Sequence, residues 1–242
     1  MRNEIDSDDV EYAGLRFSSR QEVASVLAQR ILSFLPERAG ARLLDLGCGT
    51  GAVAIAAARA RPDVRVVAID ISAENCAVAR TAAGTAGLGH MLSVVCADYM
   101  SWSGAQFDLI VSDGVLQLVP CPDESLASRI ARDLVPGGVL VATLPVASIG
   151  NAFKLLLRRI WRVLPQAADR LALWTGQRLY PTFPPEALAE RIPYLRSIPE
   201  RLFGAKLVAA FERHGLDLVA DERWENPSAA KLDHHLTVWR RR

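Results

Sequence analysis

Short runs of branched apolar residues punctuate this chain, separated by stretches in which apolar residues recur every three or four positions. The runs Arg42–Leu46, Val64–Ile69, Met91–Cys96, Phe107–Val111 and Val139–Leu144 predict five strands. Helical spacing predicts a first helix after Ser18-Ser19, through Val23, Val26, Leu27, Ile31 and Leu35, ended by Pro36. Further helices are predicted over Ala52–Arg61, from a Ser72 cap through Ala83, and over Asp123–Leu134, the last stopped by Pro136-Gly137-Gly138. Strict alternation of strand and helix implies a parallel sheet covered on both faces. Ligands in such sheets bind beyond the carboxyl ends of the strands. Residues 145–202 break the rhythm with seven prolines (Pro145, Pro165, Pro181, Pro184, Pro185, Pro193 and Pro199). Alternation resumes with a helix over Phe203–His214 and strands over Leu216–Ala220 and Leu236–Arg240. The chain therefore divides into an N-terminal segment and helix (1–37), a core (38–144), a helical insertion (145–202) and a completion of the core (203–242).

The junction of the first strand and the next helix reads Leu43-Leu44-Asp45-Leu46-Gly47-Cys48-Gly49-Thr50-Gly51. Glycines at such a junction let the backbone turn sharply and approach a ligand, and the helix that follows begins with unpaired N–H groups. The dinucleotide fingerprint is G-x-G-x-x-G; here the glycines alternate, and Asp45 stands two residues before the first. A carboxylate there sits poorly beside a pyrophosphate and well beside a cation. This points to a ligand with an ammonium group, such as the methionine part of S-adenosylmethionine, and away from a dinucleotide oxidoreductase.

The glycine run resembles motif I of the class I S-adenosylmethionine-dependent methyltransferases. Four further features fall in the order that family requires. Asp70 follows the second strand, and the resemblance gives it the ribose hydroxyls, with Ile71 beside it. Asp98 follows the third strand in Cys96-Ala97-Asp98-Tyr99; the resemblance gives it the adenine amino group and gives the Tyr99 N–H a ring nitrogen. Phe107–Leu116 resembles motif IV and contributes Ser112 and Asp113, and Leu134–Leu140 resembles the turn into the fifth strand. The resemblance covers residues 38–144. It implies a Rossmann-like α/β fold with a seven-stranded, mostly parallel sheet whose last strand is antiparallel, and a helical lid in 145–202. It also implies S-adenosyl-L-methionine as cofactor, held by Asp45, Gly47, Cys48, Gly49, Gly51, Asp70, Ile71, Asp98, Tyr99 and Ser112. Cys48 reads as a small side chain rather than a nucleophile, with no His or Lys beside it to lower its pKa. Tyr12 and Arg16 are candidates for closing the site, since relatives use their N-terminal segment so; ordinary surface positions explain them equally.

Methyl transfer from a sulfonium asks the protein mainly to position two partners, and an oxygen acceptor also needs a base. The link between the last two strands carries Trp224, Glu225, Asn226, Lys231, Asp233, His234 and His235. His234 and His235 are candidate bases, because histidine titrates near neutrality; a structural part in opening the final strand is the alternative. Asp113 is the second candidate base. No metal set is evident, and none is expected. Ser112-Asp113-Gly114-Val115 stands where enzymes that methylate base amino groups or glutamine carry Asn/Asp-Pro-Pro-Tyr/Phe, which weighs against nucleic acid. The net charge of +1 gives no general attraction to nucleic acid either.

The insertion should choose the acceptor. Residues 151–206 hold ten Lys/Arg and four Asp/Glu. Within 151–164, Lys154, Arg158 and Arg162 share a stripe, with Phe153, Leu156, Leu157, Ile160 and Leu164 elsewhere on the helix. Two readings follow: a basic amphipathic helix on an anionic membrane, or a lid with its apolar face on the domain and its basic face wet. Tyr180–Pro185 and Arg191–Leu195 add aromatics that would stack on sugars or fill the lid. The segment is similar to bacterial enzymes that O-methylate sugar hydroxyls of glycolipids, including those acting on fucose in nodulation signals, though no diagnostic motif carries that likeness. The expected function is O-methylation of a small molecule, sugar or lipid-linked glycan. Small-molecule N-methylation, carboxyl or C-methylation of a quinone-like ring, and a non-catalytic cofactor-binding subunit are the alternatives. The acidic N-terminus is unlike a signal peptide, no apolar stretch spans a bilayer, and four cysteines without metal-type spacing fit a reducing compartment. A cytoplasmic protein is expected, with peripheral contact with the inner membrane face through 151–164 as the added possibility.

Overall fold

The computed structural model describes residues 21–179, 181, 185–189, 192, 195–224 and 232–242. Tyr12, Arg16, the Ser18-Ser19 helix start, most of the 180–185 and 191–194 aromatic turns, and Glu225, Asn226 and Lys231 lie outside the described residues.

The strands are β1 (Arg42–Leu46), β2 (Arg65–Asp70), β3 (Leu92–Cys96), β4 (Phe107–Asp113), β5 (Leu134–Pro145), β6 (Leu216–Trp224) and β7 (His234–Arg241). They form one sheet in the order β3-β2-β1-β4-β5-β7-β6, with β7 antiparallel to both its neighbours and the other pairings parallel. The order reverses between β1 and β4, the point where α/β sheets open a crevice for ligands. The helices are α1 (Gln21–Leu32), α2 (Ala52–Ala60), α3 (Ala73–Thr85), α4 (Asp123–Asp133), α5 (Ile149–Arg162), α6 (Ala168–Leu179), α7 (Pro185–Ala189) and α8 (Ala205–Arg213), with a 3-10 turn at Leu116–Leu118.

Side chains alternate between the faces of a strand, so each face has its own core. Leu43, Val66, Leu109, Val111, Val141, Leu236 and Val238 pack under α1 and α2. Leu44, Ile69, Ile110, Leu140 and Trp239 pack under α4 and α8 with Phe203 and Phe211. Ser72 caps α3 by accepting the Asn75 N–H at 3.3 Å, as the sequence predicts.

Several boundaries depart from the pattern-based reading. Strand β5 begins at Leu134 rather than Val139: Leu134 pairs with Phe107, and the ladder resumes at Val139–Leu109 after a bulge. Gly137 at φ 76° turns that bulge, so Pro136-Gly137-Gly138 interrupts a strand and is not the end of a helix. Strand β6 runs on to Trp224, and β7 starts at His234, placing Trp224, His234 and His235 in strands and not in the link. The polar stretch Asp221-Glu222-Arg223 looks like loop, but its backbone pairs with β7, and charges suit an edge strand.

Helix α5 corrects the lid reading. Asn151 is buried, its Nδ2 donating to the Val146 and Asp233 carbonyls at 2.8 and 2.9 Å and its Oδ1 accepting the Asp233 N–H at 2.8 Å. Lys154 reaches Asp233 at 3.1 Å, and Arg158 donates to the Ser197 carbonyl at 3.2 Å. Backbone groups at the rim of the sheet need partners, and this polar side supplies them. The apolar side is turned outward, the reverse of an apolar face on the domain.

Candidate functional site

The site is built at the carboxyl end of β1. Gly47 takes φ 75°, and a Cβ there would come within 2.4 Å of the Val115 methyl groups. The turn's own N–H groups are directed inward. Gly47 and Cys48 donate to the Ile69 carbonyl at 2.8 and 3.0 Å, and Gly51 donates to the Cys48 carbonyl at 2.9 Å. Gly49 donates to Asp70 Oδ2 at 2.8 Å. A pyrophosphate would require such N–H groups. Here they are engaged, and three carboxylates surround the turn.

Asp45 is buried, and its Oδ2 accepts the Ala54 N–H at 3.0 Å, capping the first turn of α2 with an acid. Burial, and then the neighbouring Asp113, push its carboxyl up from 3.8 to about 7. Asp70 is half-buried; besides Gly49 it accepts the Ser72 N–H at 2.9 Å. These bonds fix its carboxylate at the mouth between β1 and β2. Asp98 is half-buried and accepts the Met100 N–H at 2.9 Å. Ile71 is half-buried beside Asp70, its carbonyl facing Cys96 Sγ at 3.8 Å. Burial, then Asp45 and Asp70, push the Cys48 thiol far above its usual range, so it remains a thiol.

Two positions turn their side chains elsewhere. The Tyr99 ring is buried in the second core under the Arg129 guanidinium, 4.9 Å from the ring centre, so any part it plays at the rim belongs to its backbone. The buried Ser112 hydroxyl donates to the Leu46 carbonyl at 3.1 Å and ties β4 to β1.

The candidate bases separate by strand face. Asp113 ends β4 on the same face as Asp45, and Thr143 on β5 donates to its Oδ1 at 2.7 Å. His234 pairs with Pro145 and Trp224 and shares the face of Leu236; its Nδ1 donates to the Leu232 carbonyl at 2.6 Å. His235 points to the opposite face, 6.0 Å from the Phe203 ring, with Nδ1 on the Asp221 carboxylate. The sheet thus groups Asp45, Asp113 and His234 on one face and sets His235 on the other.

Gln117 and Thr143 escape the sequence reading. Gln117 is buried in the 3-10 turn, and its Nε2 donates to the Gly114 carbonyl at 2.7 Å. That bond fixes the amide orientation and leaves buried Oε1 with no hydrogen-bond partner among the described residues. Buried Arg201 holds the turn, donating to the Leu116, Val119 and Cys121 carbonyls and to Asp123. Nothing in the sequence pattern marks Gln117; only the turn's geometry buries it. Among the described residues no group of three His, Cys, Asp or Glu side chains is placed to hold a metal.

Sheet order, inward-facing turn amides and surrounding acids define an α/β domain for a nucleoside carrying a cationic chain. Comparisons agree. Residues 43–138 match the family model described as a methyltransferase domain. The chain is 38% identical over 148 residues to a trans-aconitate 2-methyltransferase of Streptomyces avermitilis, covering 59% of this chain and 53% of that protein. It is 30% identical over 178 residues to a trans-aconitate 2-methyltransferase of Deinococcus radiodurans, covering 74% and 66%. The magnesium protoporphyrin IX methyltransferase of Synechocystis PCC 6803, solved with bound SAH, superposes with a TM-score of 0.61 at 15% identity, over 92% of this chain and 83% of that one. The chain spans less than two thirds of the length of these two curated relatives. It belongs to the class I S-adenosylmethionine-dependent methyltransferase family, whose cofactor is S-adenosylmethionine.

Proposed function

We propose that this chain transfers a methyl group from S-adenosylmethionine to an oxygen of a small molecule, sugar or lipid-linked glycan. The cofactor, when bound, supplies a methyl group already activated as a sulfonium. In this reading Asp70 takes the ribose hydroxyls, and Asp98 with the Ile71 and Tyr99 backbone takes the base. Asp45 and the Gly47–Gly51 turn receive the ammonium end. Ser112 acts indirectly, by fixing β4 against β1.

The observation that carries the reading is the meeting of Asp113, Thr143 and Gln117 just past the turn. Thr143 orients Asp113, and Asp113 takes the acceptor's hydroxyl proton. The buried Gln117 carbonyl receives a second donor on the acceptor. His234, on the same face, is the alternative base. Titration with S-adenosylmethionine and its demethylated product, in wild type and Asp70→Ala, tests the cofactor part; a folded protein that binds neither would overturn it. A screen of alcohols, phenols, amines and carboxylic acids with labelled methyl donor tests the acceptor part.

A second reading is favoured by the names of the relatives. A carboxylate acceptor is already ionised at neutral pH and needs no base. Turnover of a carboxylic acid that survives Asp113→Asn would select it. Binding without turnover of any acceptor would select a non-catalytic subunit.

A further inference from the structure

Helix α5 presents its apolar side to solvent. Ile149, Phe153, Leu156, Leu157, Ile160, Val163 and Leu164 are all exposed, Ile149 by 92% and Phe153 by 62%. The side opposite is the one fixed to the sheet rim through Asn151, Lys154, Leu155 and Arg158. Leu171, Trp174 and Leu179 extend exposed apolar surface onto α6. Arg196 joins the two helices, donating to the carbonyls of Leu164 and Pro165 and to Asp169. Single exposed apolar residues are ordinary, but a contiguous helix face of this kind marks an interaction surface.

The charge around it identifies the partner. Residues 149–179 carry six Lys/Arg against one acid, Asp169, and that acid is engaged by Arg196 and by Trp161 Nε1 at 3.0 Å. Arg159, Arg170 and Arg178 are exposed beside the apolar face, and the Arg178 guanidinium lies 4.1 Å from the centre of the Trp174 ring. An exposed Trp with a stacked Arg, next to a helix face of Phe, Leu and Ile, has the chemistry of a headgroup boundary. At 14 residues α5 is about 21 Å long, and no helix among the described residues is long and apolar enough to cross a bilayer. A second copy docking through the same face about a two-fold axis would bring one arginine-rich surface against another. An anionic surface attracts them instead.

We propose that the outward face of α5, continued by α6, seats on an anionic phospholipid bilayer. The seating does not depend on methyl transfer. Its consequence for the acceptor rests on the proposed function: α5 begins four residues past Pro145, beside the strand rim, so the seated site faces lipid and would take an acceptor carried on a lipid.

Co-sedimentation with vesicles of phosphatidylcholine, with and without phosphatidylglycerol, tests this, alongside light scattering of the protein alone. The full chain should pellet with the phosphatidylglycerol vesicles, less so at high salt. The variant Phe153→Ser/Leu157→Ser/Ile160→Ser should lose at least tenfold in partitioning, and Arg159→Glu/Arg178→Glu should lose several-fold. These outward positions lie outside the cofactor site, so both variants should keep wild-type circular dichroism and the wild-type affinity for S-adenosylhomocysteine. A wild type that stays in the supernatant with phosphatidylglycerol overturns the proposal, as does a folded triple variant that pellets equally well. A concentration-dependent dimer of wild type that the triple variant abolishes, without vesicle binding, reassigns the face to a second copy. Vesicle binding without S-adenosylhomocysteine binding would leave this inference standing and remove the methyl-transfer reading.

Discussion

Asp45 and Asp113 project from neighbouring strands onto one face of the sheet, and the second raises the proton affinity of the first. The register pairs Asp45 with Val111, two positions before Asp113. The Asp45 carboxyl is pushed up to about 7 by burial first and by Asp113 next, with Asp70 adding a smaller push and the Ala54 N–H opposing. Folded Asp45 therefore keeps its proton up to about pH 7, whereas the unfolded chain releases it near 3.8. Between those values the folded state binds the extra proton, so this group's stabilisation is present at low pH and is lost as pH rises towards 7. The magnitude is on the order of a few kcal/mol. Thermal melts from pH 4.5 to 8 should show a decline in wild type that Asp45→Asn largely removes. Equal slopes in the two proteins would refute the assignment. An ammonium group beside Asp45 favours its ionised form, so S-adenosylhomocysteine affinity should rise from pH 6 to 8 in wild type and stay level in Asp45→Asn.

Gly47→Ala should damage both stability and cofactor binding. The φ of 75° costs an L-residue roughly 1–2 kcal/mol. The new methyl would also overlap Val115, and overpacking of this kind costs about 1–3 kcal/mol. Urea titration should show a loss on the order of 2–5 kcal/mol, the sum of those two terms. Adding Val115→Ala should recover only part of the overlap, since the Val115 Cβ that remains lies 2.6 Å from the new methyl and the backbone conformation is unchanged. Full recovery in the double variant would mean that φ carries no cost here.

The division of the sheet into two faces separates His235 from the other two candidate bases, Asp113 and His234. Asp113→Asn should lower kcat on a hydroxyl acceptor by roughly 100-fold or more, with S-adenosylhomocysteine affinity changed little. His235→Ala should leave kcat within about twofold of wild type, because its ring lies against Phe203 with Nδ1 on Asp221; the magnitude reflects a group outside the site. Loss of turnover on removing His235, with the fold intact, would contradict this placement.

The alternation of strands and helices and the glycine turn are legible in the sequence because both are written locally. Alternating β and α runs fix the layers, and Asp45-Leu46-Gly47-Cys48-Gly49-Thr50-Gly51 carries the turn's geometry in its composition. What escaped depends on partners far along the chain. Asp221-Glu222-Arg223 is strand only because β7 supplies its backbone bonds. The adjacent His234 and His235 are indistinguishable by type, and the alternation of the strand sends them to opposite faces. Tyr99 and Ser112 match the family's positions, yet their side chains point into the protein. The α5 pattern fixed that the helix is amphipathic but not which side faces inward; Asn151, bonded to Val146 and Asp233, settles that.

Gln117 should govern the choice of acceptor without touching the cofactor. Its Nε2 is committed to the Gly114 carbonyl, so the buried Oε1 can accept a hydrogen bond but cannot offer one. Such a carbonyl favours an acceptor bearing a hydroxyl or N–H and disfavours a carboxylate, which has no proton to donate. Replacing Gln117 with Leu removes both the bond to Gly114 and that preference. The KM for a hydroxyl acceptor should rise roughly tenfold, the value of one neutral hydrogen bond of about 1–1.5 kcal/mol. S-Adenosylhomocysteine affinity should be unchanged. If carboxylic acids are the better substrates of wild type, the orphan carbonyl is not at the acceptor.

Arg201 is the structural support on which that geometry rests. It is 5% exposed, and its guanidinium donates to Asp123 Oδ1 at 2.9 Å and to the Val119 and Cys121 carbonyls at 2.9 and 2.6 Å, with Leu116 as a further partner. One side chain from the segment before α8 thus satisfies the 3-10 turn that carries Gln117 and the start of α4. Arg201→Met keeps much of the volume but removes the charge and every donor. Asp123 then stays partly buried with Lys206 at 3.9 Å as its nearest cation in place of a hydrogen-bonded one. Breaking a buried pair in this way costs about 3–5 kcal/mol, and the three carbonyls add to it. Arg201→Lys restores the charge but not the planar fork, so it should recover less than half of the loss. Because the turn also carries Gln117, the KM for a hydroxyl acceptor should rise in Arg201→Lys while S-adenosylhomocysteine affinity holds, since Asp45, Asp70 and the glycine turn lie on other strands. An Arg201→Lys variant with wild-type stability and wild-type KM would show that charge alone, and not the fork, organises the turn.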